Sequence, residues 1–115
     1  MVLTNTGKQQ LLEALKNQVT HFAIGTGQNT DSEFASSLGQ EVFRKDVTDK
    51  TVDIETSSID FECFIGSSEG NGNDFSELGL LDSPSGGNLF VISNFPAENK
   101  SALLEWLIDI VIEIK

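Results

Sequence analysis

From Leu103 to Lys115 the chain alternates with a period of two. Leu104, Trp106, Ile108, Ile110, Ile112 and Ile114 fall on one side. Glu105, Asp109 and Glu113 fall on the other, with Leu103, Leu107 and Val111 between them. A helix would scatter these residues around its circumference. A run rich in β-branched types at this period predicts a long C-terminal strand. Its second side is mixed, so Leu103, Leu107 and Val111 are interface candidates that can meet another sheet or subunit. A terminal strand of this kind is also a ready site for pairing with a neighbouring chain.

A strand with one dry side needs a partner layer, and the rest of the sequence supplies it. Lys8 to Asn17 reads as a helix with Leu11, Leu12 and Leu15 on one face, capped by Thr4, Asn5 or Thr6. Val19 to Ile24 is a short strand that stops at Gly25-Thr26-Gly27. Phe34 and Leu38 have helical spacing, so a short helix is expected before Gly39, capped by Asp31 or Ser32. Val42 to Val47 has strand composition, and Asp49-Lys50 reads as a turn. In the segment from Thr51, Ile59, Phe61, Cys63 and Ile65 share one face, with Asp60 and Glu62 on the other. Residues 66–74 form a loop by composition. Phe75 to Leu81 and Asn88 to Phe95 flank the turn Ser83 to Gly87 as an antiparallel hairpin, and Pro96 to Ser101 is a connection. The expected architecture is one α+β domain over residues 1–115. Its N-terminal helix packs on a mostly antiparallel, sandwich-like sheet.

Charge narrows the partners. The chain carries 7 basic and 18 acidic residues, a formal net charge of −11 over 115 residues. Nucleic-acid binding needs Lys and Arg to replace phosphate counterions, and here the basic residues are scattered. The same balance opposes anionic membrane surfaces. The most apolar stretch, Ala102 to Ile114, is interrupted by three acids and falls short of the roughly twenty residues of a membrane span. The start lacks a basic region followed by an apolar run, so folding in a cytoplasm is expected.

Motifs for chemistry are weak. Cys63 is the only cysteine, so it reads as a small buried hydrophobe. A catalytic thiol would need His21, the only histidine, and neither has a nucleophile context. Gly25-Thr26-Gly27 lacks both the Walker pattern and the third glycine of a dinucleotide loop, where Thr30 stands. The run from Glu69 fails as a calcium loop at Asp74 and Leu80. One His and one Cys do not make a zinc site. No cofactor and no metal are expected. Glu41 is placed to pair with Arg44. Glu77 enters an apolar strand, facing solvent or paired to Arg44 or a backbone amide.

Several segments taken in order carry a resemblance. They are the opening Leu-Thr-Asn-Thr-Gly-Lys, the strand ending Ala23-Ile24-Gly25-Thr26-Gly27, then Leu38-Gly39-Gln40-Glu41-Val42-Phe43-Arg44. Phe75-Ser76-Glu77-Leu78-Gly79-Leu80-Leu81-Asp82 and the alternating terminal strand follow. This order resembles the small tail-fibre or baseplate-associated proteins of tailed bacteriophages and prophages. The resemblance implies a structural virion protein without catalysis, assembled in the host cytoplasm. Its partners would be other tail, baseplate or fibre proteins, and it would form a homo-oligomer, a trimer being favoured. Gly25, Gly27, Glu41, Arg44, Glu77 and Gly79 would be framework residues. Many relatives continue into a fibre shaft, and the end at Lys115 suggests a short adaptor or attachment subunit. The alternative is a carbohydrate- or receptor-binding module using Ser67, Ser68, Asn71, Asn73 and Asp74. A small hydrolase built on a carboxylate pair ranks last.

Overall fold

The computed structural model describes residues 1–28 and 32–115, without the side chain of Ser32. Helix α1 (Asn5–Gln18) is followed by β1 (His21–Gly25), a 3₁₀ turn (Ser32–Phe34), β2 (Glu41–Asp46) and β3 (Asp49–Asp53). Then come β4 (Ser58–Ile65), β5 (Asp74–Leu81), β6 (Leu89–Asn99) and β7 (Trp106–Glu113). Two antiparallel sheets result. Sheet A has the order β2-β1-β5-β6, and sheet B has the order β3-β4-β7. The α+β sandwich expected from the alternation is the observed fold. Strands enter the two sheets in pairs: β1 and β2 in A, β3 and β4 in B, β5 and β6 in A, then β7 in B.

The core lies between the sheets. Phe22, Ile24, Phe75, Leu78 and Leu80 come from sheet A, and Ile59, Phe61, Cys63 and Ile65 from sheet B. The helix adds Leu12, and Val19 follows it. Thr4 caps the helix, its hydroxyl accepting from Gly7 N at 3.1 Å. The other end is held by Lys50, whose Nζ donates to the carbonyls of Lys16 and Val19 at 2.8 and 2.6 Å. An aromatic chain crosses the core: Phe43 meets Phe75 edge-on at 6.0 Å, and Phe75 meets Trp106 at 5.7 Å.

Several local expectations are corrected. Leu11 is exposed, because the helix presents Leu12 and not its neighbour to the core. The expected helix before Gly39 is only a 3₁₀ turn, with Phe34 exposed and Leu38 buried; its proposed cap Asp31 lies outside the described residues. Asp49 and Lys50 open β3, the break before it falls at residues 47–48, and a further turn at 54–57, where Ser57 takes φ 52°, divides β3 from β4. β6 runs on through Pro96 to Asn99, which an edge strand permits because a missing N–H there faces outward. β7 begins only at Trp106, so Leu104 precedes it and is exposed.

Candidate functional site

The framework residues converge on one face. In β1 and β5 the residues facing away from sheet B are also dry, since Ala23, Leu38 and Leu81 form a second buried cluster. The cover comes from residues 26–28 and 37–40 on either side of the β1–β2 connection, with Leu38 in the cluster. Register places Gly25 opposite Glu77 on one side and Glu41 on the other, and Ala23 opposite Gly79 and Arg44. Glu41, Arg44, Glu77, Gly25 and Gly79 therefore belong to one patch of sheet A.

Glu77 is the centre of this patch. It is fully buried, and its carboxylate accepts from the backbone amides of Gly27 (3.0 Å), Gly39 (2.7 Å) and Gln40 (2.7 Å). Of the three partners open to it in the sequence, it takes backbone amides and not Arg44. Three charge-assisted bonds offset the burial of the carboxylate. Ser76 adds a bond from its hydroxyl to Gly27 O at 2.6 Å, and Thr26 N donates to Gln40 O at 3.0 Å. The glycines make room for this clamp. A Cβ at Gly25 would run into Gln40 O and stand 2.5 Å from Glu77 Oε2. One at Gly27 would lie 2.7 Å from Gln40 N. At Gly79 it would meet Leu89 and Leu38 side chains at 2.8 and 2.9 Å.

Arg44 fixes the neighbouring turn. Its guanidinium holds Glu41 through Nη2 at 2.7 Å and Nε at 3.1 Å, and Nη1 donates to the carbonyls of Ser83 and Gly86 at 2.8 Å each. With its side chain only 10% exposed, this is a bridge between β2 and the β5–β6 hairpin and not a loose surface pair.

The loop of residues 66–74 is tied down by its own polar groups. Glu69 accepts from Lys45 Nζ and Gly66 N at 2.7 Å, and these two bonds hold its carboxyl below the usual range. Asn73 donates to Gly70 O, and Asp74 accepts from Asn99. Lys100 is completely buried, with Nζ on Asn71 Oδ1 (2.8 Å) and Ser101 O (2.9 Å). Lys100 escaped the sequence reading, because nothing in the polar run Asn99-Lys100-Ser101 signals burial. Gly70 (φ 65°) lets this loop lie on Phe43 and Phe75, where a Cβ would come within 2.8 Å of both rings.

Sheet B has no such cover. Asp49, Glu62 and Asp109 stand in one cross-strand row on its outer face, with Asp60 opposite Val111 in the next. Burial and the nearby Asp109 carboxylate push the Asp60 carboxyl up. Leu103, Leu107 and Val111 are 93%, 60% and 60% exposed, on the strand and at the corner where an interface was expected.

The sequence matches the model of a known family. The description "Phage tail-collar fibre protein, N-terminal" covers residues 1–111. The chain belongs to the phage tail-collar fibre N-terminal family. No curated protein matched it. It is a structural component of the virion tail, and its partners are other phage tail proteins. The match to the tail-collar fibre family takes in both clusters, β1 to β6, and β7 as far as Val111.

The other candidates have structural positions. Burial, with Asp109, Asp60 and Glu62 adding to it, pushes the Cys63 thiol up to about 12, so it holds its proton at neutral pH. His21 lies in the other sheet, between Thr20 Oγ1 (2.7 Å) and Asp46 (2.8 Å). Among the described residues, no three His, Cys, Asp or Glu side chains are grouped to hold a metal ion, and no helix is long and apolar enough to cross a membrane.

Proposed function

We propose that this domain is the attachment module of a tail fibre, joining it to the tail or baseplate through protein–protein contacts. The observation that carries the reading is the asymmetry of the two sheets within a fibre-family domain. The outer face of sheet A is spent on the Glu77 and Arg44 clamps, while sheet B leaves Leu107 and Val111 bare at its outer strand. Homo-oligomerisation, with a trimer expected, belongs to this reading, as does assembly in the host cytoplasm. The glycan-binding alternative draws less support. Asn71, Asn73 and Asp74, which would contact a sugar, hold the loop to itself and to its neighbours. The test is complementation of a phage lacking this protein. Tails should regain fibres with the wild-type domain, and light scattering should give a trimer. Fibres that assemble on tails without the domain would overturn the reading.

A further inference from the structure

The two sheets leave a cleft along the side formed by β6 and β7. Within sheet B, Phe61, Cys63 and Ile65 of β4 are fully buried. Their register partners on β7 are Ile110, Ile108 and Trp106, in the same layer one strand further out, and these are only half-buried. The difference arises because β4 is the central strand of sheet B and β7 its edge, and β6, the edge of sheet A on this side, does not pair with β7. Between them lies a cleft of about 580 Å³. Its β6 wall is Ser93, Phe95 and Pro96, and its β7 wall is Trp106, Ile108 and Ile110. Glu98, Glu105 and Asp109 stand among its lining residues, which include no Lys, Arg or His.

We infer that this cleft receives an extended segment of another tail protein, added as a strand to the free edge of β7. Apolar side chains of the segment enter the cleft, and lysines or arginines alternate on its outer side. The inference deepens the attachment reading and rests on it for the partner being a tail protein. Three features decide the occupant. An edge strand offers a row of unpaired backbone donors and acceptors, which an added strand satisfies and a compact small ligand leaves unmet. Pro96 removes a donor from β6, so β7 is the better edge. The acids select the charge. A second copy of β7 paired antiparallel about Asp109 would set Asp109 on Asp109 and Glu105 on Glu113, on a chain of net charge −11. Like charges directly opposite each other are unfavourable, whereas cationic residues there are favoured. The acids favour a basic segment as the occupant, and self-pairing is an outcome that the test separates.

Trp106 is the only tryptophan and lies in the cleft, so its emission reports occupancy. The probe is a synthetic octapeptide alternating lysine with isoleucine, against one alternating glutamate with isoleucine. The lysine peptide should give a saturable blue shift and slow amide exchange along β7. Its affinity should exceed that of the glutamate peptide by about tenfold or more and fall with salt. Ile108→Lys on one wall and Ser93→Lys on the other should each abolish the shift. Ser93→Lys carries the test if Ile108→Lys does not fold, thermal melting being the check. No shift, an equal response to both peptides, or a shift retained in a folded Ser93→Lys variant would overturn the inference. Self-association that Ser93→Lys removes would overturn it in favour of a second copy. If Ser93→Lys still reaches the tail in complementation, the cleft proposal falls and the attachment reading stands. If wild-type fibres assemble without the domain, the attachment reading falls, and the titration still judges the cleft.

Discussion

The two outer sheet faces use carboxylates in opposite ways. On sheet A, Glu77 is buried and its oxygens meet three amide donors. On sheet B, Asp49, Glu62 and Asp109 lie side by side in one row, and one oxygen of Asp60 is buried without a hydrogen bond. The first arrangement converts charge into rigidity. The second leaves like charges adjacent, which costs the isolated domain stability. A carboxylate's worth to a fold therefore depends on the donors around it and not on its depth alone.

The comparison is broken most severely at Glu77. Glu77→Ala strands three buried amides and should cost about 3–5 kcal/mol in urea unfolding. A loss below about 1 kcal/mol would mean that the clamp is not what holds the cover on sheet A. Next is Gly25→Ala, whose methyl meets backbone at Gln40, and about 1–3 kcal/mol is expected by the same measurement.

Sheet B should respond with the opposite sign. Asp109→Asn relieves Asp60 and the row, and should stabilise the domain by about 0.2–1 kcal/mol at neutral pH. The pH dependence sharpens this. Asp60 has a raised carboxyl in the folded state, so it favours folding below its ordinary range, and that advantage is lost as pH rises through the folded value. The gain from Asp109→Asn should therefore fade as pH falls through the raised folded value toward the ordinary range near roughly 4. Glu69 behaves inversely. Its lowered carboxyl stabilises the fold above the ordinary range and loses that contribution as pH falls through the folded value. Glu69→Gln should flatten the loss of stability between roughly pH 5 and 3. The smallest effect belongs to Val111→Ser, expected within about 0.5 kcal/mol by thermal melting, because the side chain is mostly in solvent.

The same contrast explains what the sequence disclosed. β4 and β7 were legible because one side of sheet B is wet, and the alternation of Ile59, Phe61, Cys63 and Ile65 with Asp60 and Glu62 records it. β1 and β5 blur that pattern, since Phe22 and Ile24 are buried against sheet B while Ala23 is buried beneath the cover on the other face. Gly25, Glu41, Arg44, Glu77 and Gly79 stand out through the order of their motifs, and the register brings them onto one face. What the order did not disclose is that Glu77 meets amides 37 to 50 residues away, a contact that has no local signature. Lys50 looked like a turn residue because its role, closing the end of α1, depends on where the helix docks. The cleft was hidden for a related reason. The apolar side of β7 reads as core whether or not a neighbour covers it.

The pairwise alternation of strands between the two sheets has a consequence for synthesis. β4 lacks one neighbour until β7 is made, more than forty residues later in the chain. Every residue of β4 from Ser58 to Ile65 waits for its partner in that last strand. β1 waits similarly for β5. Closure of such long loops must precede the contacts that reward it, which makes folding slow. While the chain emerges, the apolar flank of β4 stands open on the side β7 will occupy. A nascent chain stalled before Trp106 would leave β4 with one edge unpaired, the edge that the eight residues of β7 complete.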